Sequence, residues 1–237
     1  MNYYYITGTS SGIGKALALA LLKNESNKVI GISRRSAIEH KNYLHISLDL
    51  GKSVNIRRFR FEKLKVADRM VLINNAGTLG DVKYFGKMNS NLAVYGWMVN
   101  VVAPGVLMNE FIKTYRKLKG EKIVINISSG AGKSPVDGWG IYCSSKAAIE
   151  MMTEVAAKEQ NLKNEGFRIL AVSPGIVDTE MQEKIRESDQ KDFSRVRDFV
   201  NYKEKQELAD PDKTAQKLIQ LINNINEYPQ PSLRLQY

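Results

Sequence analysis

Tyr142 and Lys146 stand four residues apart in Tyr142-Cys143-Ser144-Ser145-Lys146, far downstream of a glycine-rich turn, Thr7-Gly8-Thr9-Ser10-Ser11-Gly12-Ile13-Gly14. If the chain from about Gly140 is helical, side chains four apart share a face, so the Lys146 ammonium lies beside the Tyr142 phenol. A free phenol titrates near pKa ~10, too high for ready proton exchange at neutral pH, and a neighbouring cation lowers that value. The pair predicts Tyr142 as a general acid beside a glycine-rich cofactor turn. Together the two motifs read as a reductase.

Such groups need a scaffold that brings distant parts of the chain together. Short β-rich runs alternate with helical patterns: Tyr3 to Thr7, then Ala16 to Leu22; Lys28 to Ser33; Tyr43 to Leu48; Met70 to Asn74, then Leu92 to Leu118. The alternation continues with a strand over Lys122 to Ser128, a helix over Gly140 to Asn161, a strand over Phe167 to Ser173 and a helix over Asp210 to Asn223. Strands separated by helix-length crossovers predict an α/β fold, a single-domain doubly wound parallel sheet with helices on both faces. In such sheets ligands bind beyond the carboxyl ends of the strands, where both motifs fall. The segment from about Asp178 to Leu208 combines dense charge with apolar positions at Met181, Ile185, Phe193, Val196 and Phe199. It reads as helical and peripheral, and its place at the carboxyl edge makes it a candidate substrate lid; an ordinary pair of surface helices fits the same pattern.

Directly after the first strand, Gly8, Gly12 and Gly14, with Ser10, Ser11 and Ile13 between them, allow a tight turn that brings backbone N–H groups close to a pyrophosphate. The second strand ends in Ser33-Arg34-Arg35, where an NAD site usually places an acid for the ribose hydroxyls. A guanidinium fork matches a phosphate dianion instead, so Arg34, with Arg35 and Ser33, points to the 2′-phosphate of NADP, that is, to NADPH as cofactor.

The 237 residues, 43% hydrophobic, suffice for one large domain. The net charge of +10 raises nucleic acid as a partner. The densest basic stretch, Ile56 to Lys65, spaces Ile56, Phe59 and roughly Leu64 as a buried helical stripe with the charges in solvent. No nucleic-acid-binding motif accompanies it, and that class is set aside. The start resembles no signal peptide and no apolar run approaches membrane-spanning length, so a soluble, cytoplasmic protein without a membrane partner is expected. Cys143, the one cysteine, forms no intramolecular disulfide and reads as a filler beside Tyr142. His40 and His45 lack acidic or cysteine neighbours at ligand spacing, so no metal is expected.

These residues resemble the short-chain dehydrogenase/reductases of the Tyr-x-x-x-Lys type over nearly the whole chain. Besides the glycine turn and Tyr142/Lys146, Asn74-Asn75-Ala76-Gly77 is similar to the family's motif after the fourth strand, and Asp49-Leu50 to its adenine-contacting pair. Asn100 matches its structural and proton-relay Asn. Ser129 matches its catalytic Ser, and Ser173-Pro174-Gly175 the motif beside the nicotinamide. Within the family the chain resembles the bacterial benzil reductase and sepiapterin reductase branches, notably over Ser128 to Lys133, Gly138 to Lys146 and Ser173 to Gln182. Sepiapterin reductases hold the pterin with an Asp near the C-terminus. Here no acid follows Glu227 and Arg234 falls near that place; a cation cannot accept the pterin's N–H bonds.

The resemblance implies hydride transfer to a carbonyl carbon, with Tyr142 as acid, Ser129 as donor to the carbonyl oxygen, Lys146 on the cofactor ribose and Asn100 holding a relay water. Cofactor contacts are implied for the glycine turn, Ser33 to Arg35, Asp49, Leu50, Asn75, Ala76, Gly77, Tyr142, Lys146, Pro174, Gly175, Val177 and Thr179. Trp139 and Met181 are candidates for the apolar wall of the substrate pocket, with plain core packing as the alternative. Ser128 competes with Ser129; strand alternation points the two oppositely, and Ser129 is favoured. The expected substrate is a neutral or anionic carbonyl compound, a diketone or related ketone. A sepiapterin-type pterin carbonyl reductase and a non-catalytic NADP-binding redox sensor are the alternatives. The helical patterns Leu92 to Leu118 and Gly140 to Asn161 resemble the family's dimer-forming helices and imply a homodimer or homotetramer, with an intramolecular core as the alternative use of their apolar faces.

Overall fold

The strands are β1 Asn2–Thr7, β2 Asn27–Ser33, β3 Tyr43–Ser47, β4 Arg69–Asn74, β5 Glu121–Ile127, β6 Phe167–Ser173 and β7 Ser232–Arg234 in a computed structural model that describes residues 1–237. They form one parallel sheet in the order β3-β2-β1-β4-β5-β6-β7. The order reverses at β1, which pairs with β2 on one side and β4 on the other. Clefts open at such a reversal because the two adjoining crossovers leave on opposite faces.

Strand alternation sorts the side chains to two faces. Tyr4, Ile6, Ile73, Ile125 and Val172 meet α1 (Gly12–Leu22) and α8 (Pro211–Asn223) through Leu17, Leu21, Leu218 and Ile222. Tyr5, Leu72 and Val124 face the other way, where Leu107, Phe111 and Tyr115 of α4 (Ala103–Tyr115) and Ala156 of α5 (Gly140–Lys163) cover them. Tyr5 and Tyr115, both buried, satisfy each other's hydroxyls at 2.8 Å.

The expected helix over 92–118 is three pieces: α3 (Ser90–Trp97), a π-helical turn (Met98–Val102) and α4. The continuous run Ser90–Tyr115, 26 residues, is by length and apolar composition able to cross a bilayer, contrary to the expectation that no run approaches that length. Here Val99, Ala103, Leu107, Met108 and Phe111 are buried against the sheet.

The helical stripe expected over 56–65 is also corrected. Helix α2 is only Ser53–Arg58, and Phe59 turns to extended backbone at φ −62°, ψ 137°. The alternating pair Phe59 and Phe61 then enters the core edge to face at 4.9 Å. A period of two serves an extended segment as 3.6 serves a helix, and the run is too short to separate them. β7, three residues long, escaped the reading for the same reason.

Between β6 and α8, α6 (Glu180–Arg186) and α7 (Val196–Glu204) lie over the carboxyl edge. Ile185, Phe193 and Phe199 form a third buried cluster there with Leu79, Ala131, Trp139 and Tyr142.

Candidate active site

The glycine turn joins β1 to α1. Gly8 has φ +75°, and a Cβ on Gly14 would sit 2.3 Å from the Gly8 carbonyl oxygen, so the first helical turn closes onto the strand end only without a side chain there. Ser11 caps α1 with no side-chain bond, and the first turn carries no acid. Its amide N–H groups and positive dipole end remain free for an anion, which fits the pyrophosphate of a dinucleotide. The β1 and β4 ends are tied together: Thr7 Oγ1 accepts from the Asn75 and Ala76 amides at 2.9 Å, and Asn75 Nδ2 donates to the Thr7 carbonyl at 2.9 Å. The Asn75 amide group thus braces the turn.

At the end of β2, Arg34 and Arg35 are exposed. Ser33 Oγ donates to the Arg35 carbonyl at 2.8 Å and meets Nε2 of His45, on β3, at 3.1 Å. Asp49 Oδ1 accepts the Gly51 amide at 2.9 Å, while Leu50 is buried. Across the edge, the Gly12 turn faces Thr179, whose Cγ2 lies 3.1 Å from where a Cβ on Gly12 would stand. Tyr237 donates from its hydroxyl to the Pro174 carbonyl at 2.7 Å, and its ring lies against Gly175. Val177 is buried and bridged to Ala209. The expected cofactor residues therefore share one edge of the sheet.

The four expected catalytic residues converge. Tyr142 and Lys146 are both buried in the first turns of α5. Burial pushes the Tyr142 phenol above its ordinary range, and the neighbouring Ser129 hydroxyl opposes that rise. The expectation that Lys146 lowers the tyrosine's pKa is not met: Lys146 Nζ lies 5.6 Å from the Tyr142 ring centroid and donates instead to the Ile127 carbonyl at 2.7 Å. Burial brings Lys146 itself down from 10.5 to about 8. In this geometry desolvation outweighs the expected pairing.

Asn100 sits in the π-helical turn, a feature that recurs at functional sites because it turns a side chain out of helical register. Its Oδ1 accepts the Thr78 amide at 2.9 Å, and its Nδ2 donates to the Thr78 carbonyl at 2.8 Å and to Ser145 Oγ at 3.0 Å. Asn100 Oδ1 and Lys146 Nζ approach one point beside Gly77, 3.6 and 3.7 Å from where its Cβ would be. The two candidate serines separate as strand alternation requires. Ser128 Oγ donates to buried Glu150 at 2.9 Å, whereas Ser129 turns to Tyr142 and its Oγ accepts the Ala131 amide at 3.2 Å.

Trp139 and Met181 both join the third cluster, Trp139 buried and Met181 half-buried. Trp139 meets Tyr142 edge to face at 5.6 Å and stacks on Phe193 at 5.2 Å. Cys143 is half-buried beside them. Phe193 is held from both sides: Asp192 pairs with Lys83, and the Asp137 carboxylate accepts the Ser194 amide at 2.8 Å, the Ser194 hydroxyl at 3.0 Å and the Tyr84 hydroxyl at 3.0 Å. Burial raises the Asp137 pKa, but these bonds prevail and leave it below the usual range. Neither acid was singled out from the sequence, because each acts on a residue more than 50 positions away.

A family model described as short chain dehydrogenase matches residues 2–190. A benzil reductase ((S)-benzoin forming) of Bacillus cereus is 39% identical over 97% of both chains. A sepiapterin reductase of Meriones unguiculatus is 32% identical over 92% of this chain and 89% of its own. The crystal structure of the KRED1-Pglu enzyme superposes with a TM-score of 0.80 at 26% identity, covering 94% of this chain and 95% of that one. The chain belongs to the short-chain dehydrogenase family of oxidoreductases, whose members work with a nicotinamide dinucleotide.

Proposed function

We propose that this protein is an NADPH-dependent carbonyl reductase that converts a ketone, and best a diketone, to an alcohol. The observation that carries this reading is the convergence of a buried phenol, Tyr142, with the Ser129 hydroxyl beneath an aromatic cluster built partly from the segment 178–208. Bound dinucleotide supplies the hydride. Tyr142 gives its proton to the carbonyl oxygen while Ser129 donates a hydrogen bond to the same atom, so the C=O becomes CH–OH. Pre-aimed donors at a developing oxyanion are worth about 3 kcal/mol each. Tyr142, whose phenol is held protonated by burial, is suited to the acid role. Lys146 and Asn100 flank one small space beside Gly77, where a relay water would link the site to solvent.

The two exposed arginines and the absence of an acid at the end of β2 favour NADPH. The name of the Bacillus cereus relative favours a diketone. Arg234, exposed at the end of β7 opposite Ser173, disfavours a pterin. Segment 178–208 acts as the lid. Exposed Val94, Trp97, Met151 and Val155 on α3 and α5 suit a homodimer or homotetramer, which sedimentation would reveal.

The direct test is NADPH consumption by the purified protein with benzil, other diketones and sepiapterin, beside Tyr142→Phe. Diketone reduction that falls by a factor of about 100 or more in the variant, with NADPH binding kept, is the expected result. Equal turnover in the two proteins sinks the acid role.

A further inference from the structure

Trp139 is only 7% exposed, yet its indole Nε1 is buried with no hydrogen-bond partner. The groups around it are Tyr142 edge-on, Phe193 stacked at 5.2 Å and Phe199 tilted at 5.5 Å, within a cluster completed by Leu79, Ala131 and Ile185. A buried donor left unmade costs about 1–3 kcal/mol, and contact with an aromatic face recovers only part of that. For packing alone a phenylalanine would fill the place without the penalty. The unmatched donor stands three residues before Tyr142, with its ring against that residue.

We infer that Trp139 is a specificity-determining residue whose indole N–H takes the second oxygen of a vicinal dicarbonyl, while Tyr142 and Ser129 take the oxygen that is reduced. This rests on the carbonyl-reductase reading above. An unpaired N–H discriminates strongly, because a substrate lacking the matching acceptor leaves it buried and unsatisfied. The donor is neutral and its surroundings are aromatic, so the acceptor is a neutral carbonyl; a carboxylate in the same place would lose its hydration without a counter-charge. The substrate class is therefore the 1,2-diketones and not the 2-oxo acids. Phe193 and Phe199 supply flat faces for the substituents.

Trp139→Phe keeps the ring stack and deletes the donor. With NADPH, kcat/KM is measured for 1-phenyl-1,2-propanedione and for propiophenone, which share a carbon skeleton and differ by one carbonyl. The diketone-to-monoketone ratio is expected to fall at least tenfold in the variant, a comparison that cancels the greater intrinsic reactivity of diketones. An unchanged ratio overturns the inference. Separately, the chain has two tryptophans, so Trp97→Phe assigns the indole N–H resonances. Adding the diketone to NADP-loaded protein should move the Trp139 indole proton downfield, and propiophenone should not. A resonance that ignores the diketone overturns the inference even without turnover. Failure to reduce any carbonyl with NADPH bound counts instead against the carbonyl-reductase reading.

Discussion

The Lys146 ammonium donates a 2.7 Å hydrogen bond to the carbonyl of Ile127, the last residue of β5. This bond directs a charge from α5 to the end of the sheet, and both partners are buried. Burial holds Lys146 at about 8 against 10.5 for a free lysine. A base with a depressed folded-state pKa is bound more strongly by protons in the unfolded chain between those values. Its destabilising contribution is therefore full below about pH 8 and fades as pH rises toward 10.5. The shift corresponds to a cost on the order of 3 kcal/mol near neutrality. Lys146→Met is expected to raise the Tm at pH 7, to gain less at pH 10, and to lose reductase turnover. Thermal melts at the two pH values check it; a lower Tm at pH 7 would show that the Ile127 bond outweighs the burial cost.

Ser128 and Ser129 are expected to fail differently. Ser129→Ala should lower kcat by a factor of about 100 or more, with little change in Tm. Ser128→Ala leaves the buried Glu150 carboxylate short of its 2.9 Å donor and should cost about 1–3 kcal/mol of stability while keeping most of the turnover. Paired melts and rate measurements decide it, and a reversed pattern would reassign the oxyanion donor to Ser128.

Arg34→Ala should raise the KM for NADPH by about 10- to 100-fold, the worth of one charge-assisted contact, with much less effect on NADH. Equal changes for both cofactors would remove Arg34 from 2′-phosphate recognition and leave Arg35 to be tested in the same way.

Asp137, in the loop before α5, accepts two hydrogen bonds from Ser194 in the segment that carries Phe193 and a third from Tyr84. Asp137→Ala is expected to raise the ketone KM about tenfold, to leave the NADPH KM within about twofold, and to speed tryptic cleavage at Lys191 and Arg195. Unaltered cleavage and KM would mean that the segment is a fixed wall and not a lid.

Much of this protein was legible in the chain. The parallel sheet follows from short β-rich runs spaced by helix-length patterns. The glycine turn, Ser33-Arg34-Arg35 and the Tyr142/Lys146 spacing are local features whose placement follows once strand and helix are known, because a turn fixes backbone direction and four residues fix a helix face. The separation of Ser128 from Ser129 was also a local matter, settled in kind by alternation, though which one met Tyr142 depended on where Glu150 stood.

Other features depended on contacts between distant residues. Lys146 lies in helical register with Tyr142, yet the Ile127 carbonyl 19 positions away draws its ammonium aside. The desolvation that raises the phenol and lowers the lysine belongs to the packed site and to no residue in it. Phe59 and Phe61 left helical register because the core accepted an extended pair. The aromatic wall formed only when Phe193 and Phe199, far along the chain, closed on Trp139. Spacing along a sequence determines direction over a few residues; burial, charge and the partner of each buried donor are set by what the fold brings up from elsewhere.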